Sequence, residues 1–166
     1  ERLRIDQQER WFMYVTDELL PNVRHNDQQM FITTGCSMGG FHAANFFFRR
    51  PDLFNGMLAM SGLYHASYGF DGYMDGLVYE NSPQDFLQQM PSDHPWMQAY
   101  RQSKIVFCVG QGRWEDDLLW STREMDRILK EKGVNNAWFD YWGHDVDHDW
   151  PFWRRQVPYF FDKILQ

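Results

Sequence analysis

The sequence is poor in cysteine, in long apolar runs and in clustered positive charge, and each shortage removes a class of protein. Only Cys36 and Cys108 occur. One lies in a turn motif and the other in an apolar run, where each reads as a small buried residue rather than half of a disulfide. No run approaches the ~20 apolar residues of a membrane-spanning helix, and no signal-like segment opens the chain. Sixteen basic residues stand against 23 acidic ones, a net charge of −7. With no basic run to follow a phosphate backbone, nucleic acid is not expected as a partner. Internal repeats, low-complexity tracts and linkers are lacking too. Aromatic residues, by contrast, make up 18% of the chain and include eight tryptophans. That load predicts a packed core rather than disorder. At 166 residues the length suits one domain, residues 1–166, that buries roughly two-thirds of the surface its unfolded chain exposes. The oligomeric state is left open, as is the compartment, which leans to the cytoplasm. Because the chain opens on Glu1 and not on methionine, something is expected to have preceded it.

Hydrophobic spacing supplies the elements. Trp11, Phe12, Val15 and Leu19 recur at helical intervals between Ile5 and Leu20, and Pro21 is expected to close that helix. Gln29 to Thr34 is a short strand-like run ending at Gly35, and a helix from Gly39 to Arg49 is stopped by Pro51. Asn55–Ser61, Lys104–Gly110 and Ala137–Trp142 are nearly unbroken apolar runs, as expected of strands covered on both faces of a parallel sheet. A helix over Glu115–Lys132 has acidic residues at its start, lysines at its end and Gly133 as a stop. A last helix spans Pro151–Leu165. Between Gly62 and Ser103 lies an excursion rich in Tyr64, Tyr68, Phe70, Tyr73, Tyr79 and Phe86 with little periodicity, expected to cover a site. Strands alternating with helices give an α/β layered fold with a mainly parallel sheet, whose ligands bind beyond the C-terminal strand ends.

The chemistry gathers there. Gly35-Cys36-Ser37-Met38-Gly39 fits G-x-S-x-G where a strand hands over to a helix. Such an elbow exposes a strained serine at a helix N-terminus, needs small residues two positions to either side, and lets the Met38 backbone N–H meet an oxyanion. A serine that only caps a helix is the plainer reading of the same residues. A nucleophilic serine needs a histidine base and an acid to orient it. His144 and His148 both follow the last strand, where the base belongs. His148, just ahead of the Pro151 helix, is the preferred base and His144 the alternative. His42, inside the helix after the elbow, is expected to pack or hydrogen-bond behind the site; His65 and His94 belong to the excursion. In the loop after Gly110, Glu115 is preferred as the acid and Asp116 is its rival, although carboxylates suit a helix start without any catalytic task. His144, Asp145, Asp147, His148 and Asp149 fall within six residues, but their order does not fit the zinc-peptidase pattern. A solvated acidic loop is the expected reading and no metal is predicted.

The segment Gly35 to Ala43, the stretch from Pro51 through Phe54 to Ser61-Gly62, and Gly143-His144 through His148 to Trp153 together resemble the esterase family of α/β-hydrolases, with its esterase D-like, feruloyl-esterase-like and mycolyltransferase-like members. The resemblance covers almost the whole chain and implies an α/β-hydrolase fold. It also implies Ser37 as nucleophile, His148 as base and a loop carboxylate as acid, without deciding between Glu115 and Asp116. Family members begin with further strands, and one of their loops supplies a second oxyanion donor; such a donor is typically worth ~10²–10³ in turnover. Here the chain opens on the helix before the elbow, so an N-terminally incomplete domain is expected, with one sheet edge unpaired. The expected function is hydrolysis of a small-molecule or acylated carboxylic ester through an acyl-enzyme on Ser37, without a cofactor. Acyl transfer to another alcohol is closely related chemistry. The alternative is a non-catalytic α/β-hydrolase-like binding domain or inactive fragment.

Overall fold

Four short apolar segments define the centre of the molecule in the computed structural model, which describes residues 2–166. Strands β1 (Phe31–Cys36), β2 (Phe54–Met60), β3 (Lys104–Val109) and β4 (Trp138–Tyr141) form one sheet in that order, every neighbouring pair parallel. Thr34 pairs with Leu58, Leu58 with Val106 and Val106 with Trp138, so the C-terminal strand ends lie side by side. Alternate residues serve opposite faces, as a pleated strand requires. Met57, Ala59, Ile105 and Phe107 pack under helices on one side, while Leu58, Met60, Val106 and Cys108 meet Trp153, Phe160 and Ile164 on the other. The layers are α3 (Met38–Arg49), α4 (Gly76–Glu80), α5 (Pro83–Gln89), α6 (Pro95–Gln102), α7 (Asp116–Glu131) and α8 (Trp150–Ile164). Residues of α3, α5, α6 and α7 share the first cluster, and α8 supplies the second.

The strands keep to the apolar runs within one or two residues, but the N-terminal helix departs from its expected form. Helix α1 (Arg2–Met13) continues through a π-helical turn, Tyr14–Leu19, into α2 (Leu20–Val23), so Pro21 lies inside the helix and does not close it. The wider turn is visible in the Leu20 N–H, which donates to Val15 O five residues back. Proline removes the bond to the fourth carbonyl before it and crowds that carbonyl; a π-turn tolerates both. The extra residue shifts the buried face beyond it to Thr16 and Leu20, which continue the face of Ile5 and Phe12, while Trp11 is 50% exposed. Much of the tryptophan load is likewise outside the core. Trp114, Trp120 and Trp150 are exposed, whereas Phe47, Phe48, Phe107, Tyr64 and Tyr100 are fully buried.

The chain reverses between β1 and α3 in a single residue. Ser37 has φ 56° and ψ −124°, its N–H donates to Met60 O at 2.9 Å, and its carbonyl accepts from Gly40 N at 2.9 Å. A Cβ on Gly35 would stand 2.2 Å from the Gly39 carbonyl oxygen, and one on Gly40 would stand 2.7 Å from Met60 O. A Cβ on Gly39 meets nothing within 4 Å. The need for small residues at both positions flanking the serine therefore holds at Gly35 only; Gly40 takes over where Gly39 was expected, because α3 crosses β2 one residue further on. Gly35→Ala and Gly40→Ala should each lower stability by about 3 kcal/mol, the upper end of overpacking costs. Gly39→Ala should stay within about 0.5 kcal/mol in urea denaturation.

Helix α1 is tied to this framework by charge. Arg49 donates to both Glu9 oxygens at 2.8 and 3.0 Å, Asn81 donates to Glu9 Oε1, and the Arg49 guanidinium lies 3.8 Å from the Phe12 ring centre. Burial works to raise the Glu9 carboxyl, but the hydrogen bonds from Arg49 and Asn81 and the Arg49 charge outweigh it and hold the group below its ordinary value. A depressed native pKa gives stability that is present above the unfolded carboxylate range, near 4.3, and lost as pH falls through the native value. Wild-type protein should therefore lose more stability than Glu9→Gln on acidification from about pH 5, followed by thermal unfolding at each pH.

Candidate active site

The ends of the four strands bring together side chains from distant parts of the sequence. Ser37, at the turn after β1, has its Oγ 2.9 Å from His148 Nε2, a contact across 111 positions. His148 belongs to the turn between β4 and α8, and its ring stands perpendicular to that of Trp153, centre to centre 4.9 Å. On the far side of the imidazole, Nδ1 lies 3.4 Å from Glu115 Oε2. Among the described residues neither of these two buried atoms has a hydrogen-bond partner, so each faces the other across an ion-pair distance that exceeds the ~2.8 Å of a tight charge-assisted bond. Glu115 is 1% exposed, and its Oε1 accepts from Ser61 Oγ at 2.7 Å. With the imidazole proton on Nδ1, toward the carboxylate, the Nε2 lone pair is free to accept from the Ser37 hydroxyl.

The loops that carry Glu115 and His148 are laced into one body. His148 N donates to Arg113 O at 3.0 Å, Gly112 N to Val146 O at 2.9 Å and Gln111 N to Gly143 O at 3.2 Å. The Gln111 side chain reaches Trp142 O, and Arg113 binds Asp147 through its backbone N–H at 2.8 Å and its Nε at 2.9 Å. The backbone N–H and then the side chain of Arg113 hold the Asp147 carboxyl below its ordinary value.

The remaining candidates lie elsewhere. Asp116 is exposed in the first turn of α7, beside Asp117, which accepts from Tyr68 OH. His144 is exposed, its Nδ1 3.3 Å from Gln111 O. His42 stands edge-on to Phe41 and Phe46, and burial lowers its pKa. It lines the cleft in front of Ser37, so it is not behind the site as expected: it sits on the face of α3 turned to the cleft. His65 Nδ1 is 2.6 Å from Ser67 Oγ, a second serine–imidazole contact, and His94 Nδ1 accepts from Trp96 N at the start of α6. Met38 is the first residue of α3, a position whose backbone N–H has no acceptor within the helix.

The acidic turn does not converge on a point. Asp147 turns to Arg113, His148 to Ser37 and Glu115, and Asp149 caps α8 by accepting from Trp150 N at 2.6 Å. Among the described residues no three His, Cys, Asp or Glu side chains are placed to hold a metal ion, and no helix is long and apolar enough to cross a membrane. Both cysteines are free.

A cleft of about 420 Å³ opens over Ser37, lined on one side by Met38, Phe41 and His42 and on the other by Leu63, Ala66 and Phe70. The excursion thus supplies one wall. Its aromatic residues divide: Tyr64 and Phe86 are core, Phe70 and the exposed Tyr68 line the cleft, and Tyr73 is exposed. Three participants were missed from the sequence: Ser61, Trp153 and the Arg113–Asp147 pair. The position of Ser61 at the C-terminal end of an apolar strand run is the nearest thing to a signal among them, and by itself it does not assign a role.

Residues 5–161 match the model of the family described as "Putative esterase". A search of curated proteins finds no match. Among solved structures, the chain is similar to a ferulic acid esterase at 22% identity and TM-score 0.65, over 87% of this chain and 56% of that one. It is also similar to an S-formylglutathione hydrolase of Staphylococcus aureus at 14% identity and TM-score 0.66, over 99% and 63%. MPT51 of Mycobacterium tuberculosis gives 16% and 0.72, over 93% and 67%. These likenesses show a shared fold, and the chain spans 56% and 63% of the length of the first two. A parallel sheet flanked by helices, with a family match over nearly its whole length, places the chain in the esterase family of α/β-hydrolases.

Proposed function

We propose that this chain hydrolyses carboxylic esters through an acyl-enzyme on Ser37, as a single domain with residues 62–103 walling the substrate cleft. The observation that carries the proposal is the 2.9 Å contact between Ser37 Oγ and His148 Nε2 with Glu115 behind the ring. His148 removes the hydroxyl proton as Oγ attacks the ester carbonyl carbon. The imidazolium so formed is stabilised by Glu115, and the Met38 N–H, at the positive end of α3, donates to the oxyanion. Collapse of the tetrahedral species breaks the ester bond, and His148 returns the proton to the departing alcohol. Water then enters and attacks the acyl carbon as the same imidazole takes its proton; the bond from the acyl carbon to Ser37 Oγ breaks, His148 gives the proton back to Oγ, and the acid leaves. These steps require no cofactor. The apolar wall of Phe41, Leu63 and Phe70 fits a small ester with an apolar portion. Within the esterase family, likeness to a ferulic acid esterase supports a feruloyl-esterase-like activity, with an esterase D-like one beside it as the same chemistry.

Turnover of p-nitrophenyl acetate tests the assignment. Ser37→Ala and His148→Ala should each lose on the order of 10³-fold or more of kcat, with circular dichroism unchanged. Glu115→Gln should cost far more than Asp116→Asn, and His144→Ala should stay within about threefold of wild type, as expected of an exposed residue without a role. Undiminished turnover in Ser37→Ala would overturn the reading.

A further inference from the structure

We infer that Ser61 is a positioning residue of the site, its hydroxyl holding the Glu115 carboxylate turned toward His148. This rests on the catalytic reading proposed above. Ser61 follows β2, is completely buried, and has φ 47°, a conformation that a glycine would adopt without strain. Its backbone N–H is fixed to Cys108 O at 2.7 Å. What serine adds over glycine here is a hydroxyl, and both functions of that hydroxyl are in use. Oγ lies 3.5 Å from Trp153 Nε1, which can only donate, and 2.7 Å from Glu115 Oε1. With its lone pair facing the indole N–H, its own hydrogen goes to the carboxylate.

Glu115 is buried, so the direction of its carboxyl is set by the few groups that touch it. Ser61 therefore supplies a fixed hydrogen bond to one carboxylate oxygen and leaves the other aimed at His148 Nδ1. Trp153 meets both the Ser61 hydroxyl and the His148 ring, coupling the two orientations through one rigid side chain. Without the hydroxyl, Glu115 can rotate, and its hold on the Nδ1–H of His148 weakens.

Ser61→Gly separates this role from a structural one, because glycine tolerates the backbone at this position while removing the donor. Ser61→Ala removes the same donor and stands in if the glycine loosens the strand end. With p-nitrophenyl acetate, kcat should fall by about 10- to 100-fold, the ratio expected for a lost hydrogen bond to a charged group, with KM changed by no more than about threefold. In proton NMR, the downfield His148 Nδ1–H resonance should move upfield or broaden. A folded Ser61→Gly protein with wild-type kcat and an unmoved resonance would overturn the inference. Ser37→Ala run alongside distinguishes the two readings: if that variant keeps its turnover, the catalytic proposal fails, and the resonance alone then decides for or against Ser61.

Discussion

The backbone of Ser37 is the constraint on which the rest of the site depends. A non-glycine residue at φ 56° costs on the order of 1–3 kcal/mol and persists only where its surroundings over-determine it. Here they do: the Ser37 N–H is held by Met60 O, its carbonyl is held by the first turn of α3, and Gly35 and Gly40 allow strand and helix to approach to a distance that no Cβ would permit. The side chain then has little choice of direction. It projects from the sheet edge at the start of a helix, where α3 contributes the positive end of its dipole and unbonded N–H groups.

A fixed hydroxyl is useful only if its partner is equally fixed. The turn that bears His148 is short and polar, and alone it would be mobile. It is held because its backbone bonds run to the loop after β3, so the imidazole and the Glu115 carboxylate move as one unit. The Arg113–Asp147 pair illustrates the division of labour. Arg113 is largely exposed, so its charge contributes little stability. Its backbone N–H and side chain instead fix the residue next to His148, while its carbonyl accepts from the His148 N–H.

Much of the fold was legible because strands covered on both faces leave nearly unbroken apolar runs, as at β2 and β3, and these two, the shorter run Gln29–Thr34 and the run Ala137–Trp142 appear as the four strands within one or two residues. The N-terminal helix misled at Pro21, where a π-turn absorbs the missing N–H and shifts the buried face, an adjustment that no period-3.6 pattern can encode. Helices α4 to α6 escaped notice because at five to eight residues each is too short for periodicity to stand out. Around the site, G-x-S-x-G drew attention to the turn, but the need for Gly40 over Gly39 arises from where α3 crosses β2. Ser61 and Trp153 were hidden for a different reason: a serine after a strand and a tryptophan in an aromatic helix are commonplace in sequence, and only their meeting at Glu115 and His148 gives them meaning.

The central claim is that the strained turn holds a hydroxyl activated by a distant imidazole. The most direct measurement is peptide mapping after brief exposure to a fluorophosphonate. A single adduct on Ser37, formed rapidly in native protein and lost on unfolding, is the predicted result. An unreactive folded chain, or an adduct on Ser67 beside His65, would contradict it.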